Sequence, residues 1–153
     1  MNLKRISWDE YFMSMAELAS KRSSCLRRQV GAVIVKNNQV LATGYNGAPK
    51  GLPNCCDLGK CLRKEMGIPS GERQELCRAV HAENNAITQC AVNGVSCKGG
   101  TLYVTASPCI MCTKQLINAG IIRIVAKEMY PENMGRQMLE ESGIIFELFN
   151  EIN

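Results

Sequence analysis

His81-Ala82-Glu83 and Pro108-Cys109-Ile110-Met111-Cys112 are the two stretches around which the chain is organised. One imidazole and two thiols suit Zn²⁺, and a catalytic zinc takes three protein ligands and leaves one position for water. A helix that begins near Cys109 would favour thiolates through its dipole and its free N–H groups. Glu83 lies two residues after His81, so it can point into the same site without binding the metal. We therefore predict a zinc site formed by His81, Cys109 and Cys112, with Glu83 as the catalytic group.

Two other interpretations of these residues exist. A structural zinc site takes four protein ligands and has no open position. Alternatively, the cysteines and the histidine are separate core residues that bind nothing. The chain has a single histidine, so no other imidazole can replace His81. A carboxylate beside the metal has no use in a structural site, and Glu83 therefore favours the catalytic interpretation.

The bulk composition is that of one soluble domain. The 153 residues are 46% hydrophobic and 21% charged, which is typical of a globular chain, and we predict a single domain over residues 1–153. The net charge of +4 is too small to indicate a nucleic-acid partner. No apolar run has the length of a membrane span, and the N-terminus lacks the apolar stretch of a secretion signal. We expect a cytoplasmic protein without nucleic-acid or membrane partners, in which nine cysteines point to metal binding or catalysis before disulfides.

Hydrophobic periodicity and turn residues predict alternating helices and strands. Ser7 and Glu10 have the spacing of a capping box at the start of a first helix. Eight glycines and prolines interrupt residues 46–71, and a loop of this length is usually functional. The order of elements predicts an α/β fold, in which a hairpin leads into two β-α-β crossovers of a five-stranded mixed sheet. The predicted elements are a helix to residue 20, strands over 30–35 and 40–45, a helix over 75–93, a strand over 101–105, a helix over 108–120, a strand over 121–126, a helix over 134–141 and a strand over 144–149.

Five motifs carry a resemblance to a known family. The H-x-E and P-C-x-x-C elements are typical of the zinc-dependent nucleobase deaminases. The Gly-Tyr-Asn-Gly-x-Pro-x-Gly loop with its following Cys-Cys singles out the dCMP branch. Over residues 7–149 the chain resembles the deoxycytidylate (dCMP) deaminase family, including the ComE operon protein 2 type. The motifs are Val30-Gly31-Ala32-Val33-Ile34, Gly44-Tyr45-Asn46-Gly47-Ala48-Pro49-Lys50-Gly51, Asn54-Cys55-Cys56-Asp57, His81-Ala82-Glu83-Asn84-Asn85-Ala86-Ile87 and Ser107-Pro108-Cys109-Ile110-Met111-Cys112.

The resemblance implies a three-layer α/β/α cytidine-deaminase-like fold and the hydrolysis of dCMP to dUMP and ammonia, which supplies thymidylate synthesis. It implies that Glu83 moves the protons of this reaction beside the zinc. It also implies a homohexamer that dCTP, with Mg²⁺, activates and dTTP inhibits. The effector is expected near the Gly-Tyr-Asn-Gly loop. The loop residues concerned are Gly44, Tyr45, Gly47 and Lys50.

Candidate substrate contacts follow from the same resemblance and from charge. Asn46 would hydrogen-bond the sugar by its position in the motif, although Asn is also a common turn residue. A 5′-phosphate needs cationic or N–H partners. Arg27 or Arg28 is the preferred partner, although basic residues are often only a solvated surface. The basic residues that flank the two loops near the site are Lys21, Arg22, Arg27, Arg28 and Lys50.

The remaining cysteines suggest a second metal site. Three stretches that border the long loop carry thiols, and a closed Cys₄ set could bind a structural zinc. The alternative is buried free thiols, which we expect for Cys90 and Cys97. The predicted ligands of this second zinc are Cys25, Cys55, Cys61 and Cys77.

Three other functions share part of the pattern. A tRNA adenosine deaminase has the same H-A-E and P-C-x-x-C elements, but the modest charge and the Gly/Cys-rich loop argue against an RNA groove. A non-catalytic zinc-binding competence or interaction protein would not need Glu83. A free cytidine deaminase binds zinc comparably but lacks this loop.

Overall fold

A mixed sheet forms the centre of the fold. The computed structural model describes residues 1–130 and 134–152, and within them the strand order is β2-β1-β3-β4-β5. Strand β1 is antiparallel to β2 and to β3, whereas β3, β4 and β5 are parallel. The elements are α1 (Trp8–Ser20), β1 (Gly31–Lys36), β2 (Gln39–Tyr45), α2 (Cys55–Leu58), α3 (Leu62–Glu65), a 3₁₀ turn (Gln74–Leu76), α4 (Ala82–Val92), β3 (Thr101–Ala106), α5 (Ile110–Asn118), β4 (Arg123–Glu128), α6 (Met134–Ser142), β5 (Ile145–Leu148) and α7 (Phe149–Ile152).

Helices cover both faces of the sheet. Successive side chains of a strand point to opposite faces, so a strand of apolar residues presents a surface for helices to pack on at each face. One buried cluster joins the sheet to α4, α5 and α6, and a second joins it to α1 and α7. This arrangement confirms the predicted three-layer α/β/α fold with a five-stranded mixed sheet. No helix in the described part of the chain is both long and apolar enough to cross a membrane.

The first helix begins as the sequence predicts. The Ser7 hydroxyl accepts a hydrogen bond from the Glu10 amide at 3.1 Å, and the Glu10 carboxylate accepts one from the Ser7 amide at 2.6 Å. Helix α1 then packs closely on β1 at Gly31. A Cβ atom at Gly31 would lie 1.9 Å from the carbonyl oxygen of Ala16, so only glycine permits this contact.

The predicted helix over residues 75–93 is wrong in its first part. Helix α4 begins at Ala82, and the chain before it is extended at His81. Val80 pairs with Gly47 through two backbone hydrogen bonds of 2.8 and 3.2 Å. This pairing uses the backbone groups that a helix would need, and it ties residues 77–81 to the loop that follows β2.

Smaller differences occur in three other places. Helix α5 begins at Ile110, so Pro108 lies just before the helix and not in its first turn. The last strand ends at Leu148, and Phe149 instead starts the short helix α7. Two one-turn helices, α2 and α3, interrupt the long loop that was predicted to be irregular.

The segments that carry the two zinc motifs follow β2 and β3, which are not neighbours in the sheet. Strand β1 lies between β2 and β3. Because β1 is antiparallel to both, β2 and β3 run in the same direction, and their carboxyl ends meet at one edge of the sheet. Helices α4 and α5 therefore both begin at this edge, where sites of open α/β sheets are commonly found.

We predict that Asp9→Asn lowers the free energy of unfolding by about 1–3 kcal/mol near neutral pH, because hydrogen bonds to charged groups are lost. Asp9 contacts Arg123 at 2.9 Å, Arg123 contacts Glu147 at 2.8 Å, and the Tyr103 hydroxyl donates to Asp9 at 2.6 Å. The hydrogen bonds from Arg123 are the main cause that holds the pKa of Asp9 below its usual value of 3.8.

This contribution depends on pH. The carboxyl of Asp9 has a lower pKa in the folded chain, so its stabilising effect is present above the unfolded pKa and disappears as the pH falls through the folded pKa. Urea unfolding at about pH 7 and about pH 3 measures the difference, which should be smaller at the acid pH. A Glu151→Gln variant, at the end of α7, is the control. A difference that is equal at both pH values would contradict the prediction.

Candidate active site

The three predicted zinc ligands lie together at the N-termini of two helices. His81 is the N-cap of α4 and Cys109 is the N-cap of α5, while Cys112 lies in the first turn of α5. The Nδ1 atom of His81 is 3.5 Å from Sγ of Cys109 and 3.3 Å from Sγ of Cys112. All three ligand atoms lie within 4.8 Å of one another. His81 is 28 residues from Cys109 and 31 residues from Cys112 in the sequence, and the fold brings all three into one cluster.

Gly44 on β2 determines where α4 begins. A Cβ atom at Gly44 would lie 2.2 Å from the carbonyl oxygen of Ala82 and 2.8 Å from the amide nitrogen of Ala86. Both atoms belong to the helix backbone, which cannot move aside as a flexible side chain could. The absence of a side chain at Gly44 therefore allows α4 to lie directly on β2 and sets the position of His81.

We expect Gly44→Ala to displace the start of α4 and to lower both zinc content and the free energy of unfolding. Forcing a methyl group into a packed contact typically costs about 1–3 kcal/mol. Zinc per chain, measured by atomic emission, and urea unfolding together test this. Thr43→Ala, at the neighbouring exposed position of the same strand, is the control. Normal zinc content and stability in Gly44→Ala would contradict the role of this contact.

The donor set fits zinc with one position left open. It offers one nitrogen and two sulfur atoms, and within the described residues no fourth His, Cys, Asp or Glu joins the group. Hydrogen bonding from Cys112 is the main cause that lowers the pKa of Cys109 to about 4. Hydrogen bonding to Cys109 in turn raises the pKa of His81 to about 10. The surroundings thus favour a thiolate at Cys109, which is the form of cysteine that binds metals. Hydrogen bonding with Cys109 raises the pKa of the Cys112 thiol.

Glu83 is buried beside this cluster. It lies in the first turn of α4, its side chain is only 4% exposed, and it lies in hydrogen-bonding contact with Cys112. Burial raises the pKa of the Glu83 carboxyl, because the charged form loses its hydration. A carboxyl group with a raised pKa can both accept and release a proton nearer to neutral pH, which suits a general acid–base.

One cavity contains His81, Glu83 and Cys109, and it is also lined by the predicted substrate residues Arg27, Arg28 and Asn46. The other basic residues that the sequence suggested, Lys21, Arg22 and Lys50, do not line it. The structure therefore brings the three preferred candidates to the predicted zinc ligands.

Asn46 is mostly occupied by contacts within the protein. Its side-chain oxygen accepts hydrogen bonds from the Ser23 hydroxyl at 2.5 Å and from the Val30 amide at 2.9 Å. Its side-chain nitrogen donates to the Arg28 carbonyl at 2.7 Å. An amide has two acceptor positions and two N–H donors. One N–H is therefore left for a substrate, so Asn46 can donate to a sugar oxygen but not accept from a sugar hydroxyl.

The two candidate arginines differ in their partners. Arg28 lies 3.5 Å from Glu128 and stacks over the ring of Tyr130 at 4.6 Å. Arg27 donates from Nη2 to the Ile68 carbonyl at 3.0 Å, whereas its buried Nη1 has no partner among the described residues. Arg27 therefore has a donor available for a ligand.

Sequence reasoning did not single out Arg63, a charged residue of the cavity wall. It lies on α3 within the long loop and is only 6% exposed. Arginine is almost never buried without a partner. Nothing in the local sequence marks it, since its burial depends on how this loop folds, which brings the Glu72 carbonyl to the Arg63 guanidinium at 2.7 Å.

The four cysteines of the predicted second zinc site share one region but do not form a ligand cluster. Cys25, Cys61 and Cys77 all act electrostatically on the thiol of Cys55. Within residues 1–130 and 134–152, however, the group of His81, Cys109 and Cys112 is the only one whose ligand atoms approach to 4.8 Å. The second zinc stays a prediction, which a count of zinc per chain tests.

The residues of the predicted effector loop have different surroundings. Gly44 packs against α4, and Gly47 pairs with Val80. The side chains of Tyr45 and Lys50 are exposed, and Arg22 stacks over the Tyr45 ring at 5.9 Å.

The fold, the His-Cys-Cys cluster and the buried Glu83 define the class: a zinc-binding deaminase domain. Residues 6–128 match the family model described as the cytidine and deoxycytidylate deaminase zinc-binding region. The chain belongs to the cytidine and deoxycytidylate deaminase family. This agrees with the resemblance seen in the sequence motifs.

Individual relatives point to the deoxycytidylate branch of this family. ComE operon protein 2 of Bacillus subtilis is 39% identical, with 95% of this chain aligned to 72% of that protein. Deoxycytidylate deaminase of Schizosaccharomyces pombe is 38% identical, but 94% of this chain spans only 44% of that protein. The crystal structure of dCMP deaminase from the cyanophage S-TIM5 in complex with dCMP and dUMP has a TM-score of 0.79 and 34% identity, with 95% of this chain aligned to 99% of that chain.

Proposed function

We propose that this protein catalyses the hydrolytic deamination of dCMP to dUMP and ammonia, and so supplies dUMP for thymidylate synthesis. One observation carries the proposal: a single cavity joins the zinc-type cluster and Glu83 to arginines with available donors. The relatives named deoxycytidylate deaminase and the similar cyanophage dCMP deaminase support this substrate. The enzyme is then a hydrolase that acts on the C–N bond of a cyclic amidine.

In the proposed mechanism, His81, Cys109 and Cys112 would hold the zinc. When bound, zinc supplies the Lewis acidity that activates a water molecule at neutral pH. Glu83 accepts a proton from this water and delivers it to N3 of the cytosine ring as the oxygen attacks C4. Glu83 would then take the second proton from the hydroxyl group formed at C4 and pass it to the amino group, so that the C4–N bond breaks and ammonia leaves. The burial of Glu83 keeps these transfers away from bulk water.

Ammonia release from dCMP, deoxycytidine, cytidine and tRNA, with and without dCTP, tests this function. We expect dCMP to be the best substrate by kcat/KM. Release from adenosine in tRNA, with none from dCMP, would instead indicate a tRNA adenosine deaminase. A preference for cytidine would indicate a free cytidine deaminase. Release from none of the four by zinc-loaded protein would favour a non-catalytic competence or interaction protein.

Assembly and regulation form a separate part of the proposal. The family resemblance supports a cytoplasmic homohexamer with activation by Mg²⁺-bound dCTP and inhibition by dTTP. The exposed side chains of Tyr45 and Lys50 leave the Gly-Tyr-Asn-Gly loop accessible to such an effector. Light scattering gives the oligomeric mass. Titration of dCMP kinetics with dCTP and dTTP tests the regulation, and a hyperbolic response that neither nucleotide changes would contradict it.

A further inference from the structure

Two amide side chains of helix α4 bind the outer edge of strand β2. In the described sheet β2 is the end strand, so only its inner side pairs with a neighbouring strand. On its outer side, Asn85 Nδ2 donates to the Tyr45 carbonyl at 2.8 Å. Gln89 Oε1 accepts a hydrogen bond from the Thr43 amide, also at 2.8 Å. Because residues four positions apart lie on the same face of a helix, the two side chains attach successive turns of α4 to the same strand.

A further contact distinguishes Asn85 from Gln89. The Nδ2 atom of Asn85 also lies 3.3 Å from the Val80 carbonyl, to which it donates. An amide NH₂ group has two N–H donors, and the carbonyls of Tyr45 and Val80 use both. One side chain thus joins the end of β2 to the residue just before His81.

The backbone of His81 is consequently held on both sides along the chain. On its N-terminal side, Val80 is bound by Asn85 and paired with Gly47. On its C-terminal side, the Asn85 amide donates to the His81 carbonyl at 2.9 Å, as the first hydrogen bond of α4. His81 itself has the extended backbone of an N-cap residue, with φ −70° and ψ 155°. Helix geometry alone does not fix the direction of such a residue, and the contact between Asn85 and Val80 supplies that constraint.

We propose that Asn85 is a positioning residue, which fixes the backbone at His81 so that its imidazole faces Cys109 and Cys112. This inference rests on the proposed metal site and deaminase function. The Nδ1 atom of His81 lies 3.5 and 3.3 Å from the two sulfur atoms, and Glu83 follows in the first turn of the same helix. A displacement of His81 would therefore change the metal site and the position of Glu83 together. A misplacement of about 1 Å can lower an enzyme's rate on the order of 100-fold.

Asn85→Ala and Gln89→Ala are the matched variants. Each removes one side-chain contact between α4 and β2, so both should lower the melting temperature by a similar amount. Asn85→Ala in addition releases Val80. We expect its zinc affinity, measured by competition with a chromogenic chelator, to fall about 10-fold, as for the loss of an outer partner of a metal ligand. Its kcat for dCMP should also fall while KM changes little, whereas Gln89→Ala should keep the wild-type zinc affinity and kcat.

Cobalt substitution tests the inference without any turnover. Co²⁺ bound by thiolates absorbs visible light, and the energies of its bands depend on the geometry of its ligands. A shifted spectrum in Asn85→Ala, with the wild-type spectrum in Gln89→Ala, would support the positioning role even if dCMP is not the substrate. Wild-type protein that turns over dCMP normally and an Asn85→Ala variant with an unchanged spectrum would leave the proposed function intact and overturn the role of Asn85.

Two other outcomes would also overturn the positioning role. Equal changes of spectrum and zinc affinity in Asn85→Ala and Gln89→Ala would show that the contacts only attach the helix to the sheet. Wild-type protein that binds neither zinc nor cobalt would remove the metal site together with the role. Should Asn85→Ala fail to fold, Asn85→Asp gives the same comparison, because it keeps the side-chain volume but places a carboxylate oxygen against the two carbonyls.

Discussion

Glu83→Gln is expected to retain zinc at the wild-type stoichiometry and to lower kcat for dCMP by about 10²–10⁴-fold, the usual contribution of general acid–base catalysis. Glutamine has nearly the same shape as glutamate, so the packing around a residue that is 4% exposed should survive. An amide, however, can neither accept the proton of the attacking water nor return one to the leaving amine. The loss should therefore fall on kcat and not on metal binding.

Steady-state kinetics with metal analysis of the same samples checks this result. Glu75→Gln, in the 3₁₀ turn before α4, removes an exposed carboxylate from the same region and is the control. If Glu83→Gln turns over dCMP at a near-normal rate, Glu83 does not carry the protons. If it loses zinc as well, Glu83 contributes to the metal site instead.

Cys112→Ser is expected to lose both zinc and activity. Its thiol is completely buried and lies 3.3 Å from Nδ1 of His81, so no solvent-exposed ligand can replace it. The loss of even an outer partner of a metal ligand costs about 10–100-fold in affinity or activity, and the loss of a direct ligand should cost more than that. Zinc affinity should therefore fall by more than about 100-fold, and deamination should become undetectable without added metal.

Competition with a chromogenic chelator measures the affinity, and ammonia release measures the activity. Cys56→Ser is the matched control, because that thiol is exposed. It lies in the segment that connects β2 to α4 (residues 46–81, the connecting segment). Retention of one tightly bound zinc per Cys112→Ser chain would exclude Cys112 as a ligand. Loss of zinc in Cys56→Ser as well would indicate that the connecting segment contributes to metal binding.

The sequence was most informative where the types and spacing of residues are those that a metal site requires. The motifs that contain His81 and Cys109 predicted a metal-binding cluster, and the structure shows these residues close together. Each motif lies at the N-terminus of a helix, and both helices begin at the same edge of the sheet. The hydrophobic pattern of the strands predicted the sheet. Alternating apolar and polar residues indicate a strand with one buried face, and a continuous apolar run indicates a strand that is buried on both faces.

The structure of the connecting segment could not be predicted from its local sequence. The residues before Ala82 form a bridge with Gly47, more than thirty positions away, and this long-range pairing overrides their helical pattern. Arg63 is buried in the same segment, where its guanidinium donates to the carbonyl of Glu72. A polar stretch of sequence has no hydrophobic periodicity, so its pattern does not show whether an arginine in it lies on the surface or in a cavity.

The separation of the metal ligands along the chain has a consequence for folding. His81 and Cys112 are 31 residues apart, and the intervening chain includes α4 and the central strand β3. The metal site therefore exists only when these distant parts of the chain are folded together, so zinc binding adds to the free energy of folding. A ligand that binds only the native state also raises the melting temperature in proportion to the logarithm of its concentration. Zinc supply would then affect the stability of the folded chain as well as its turnover.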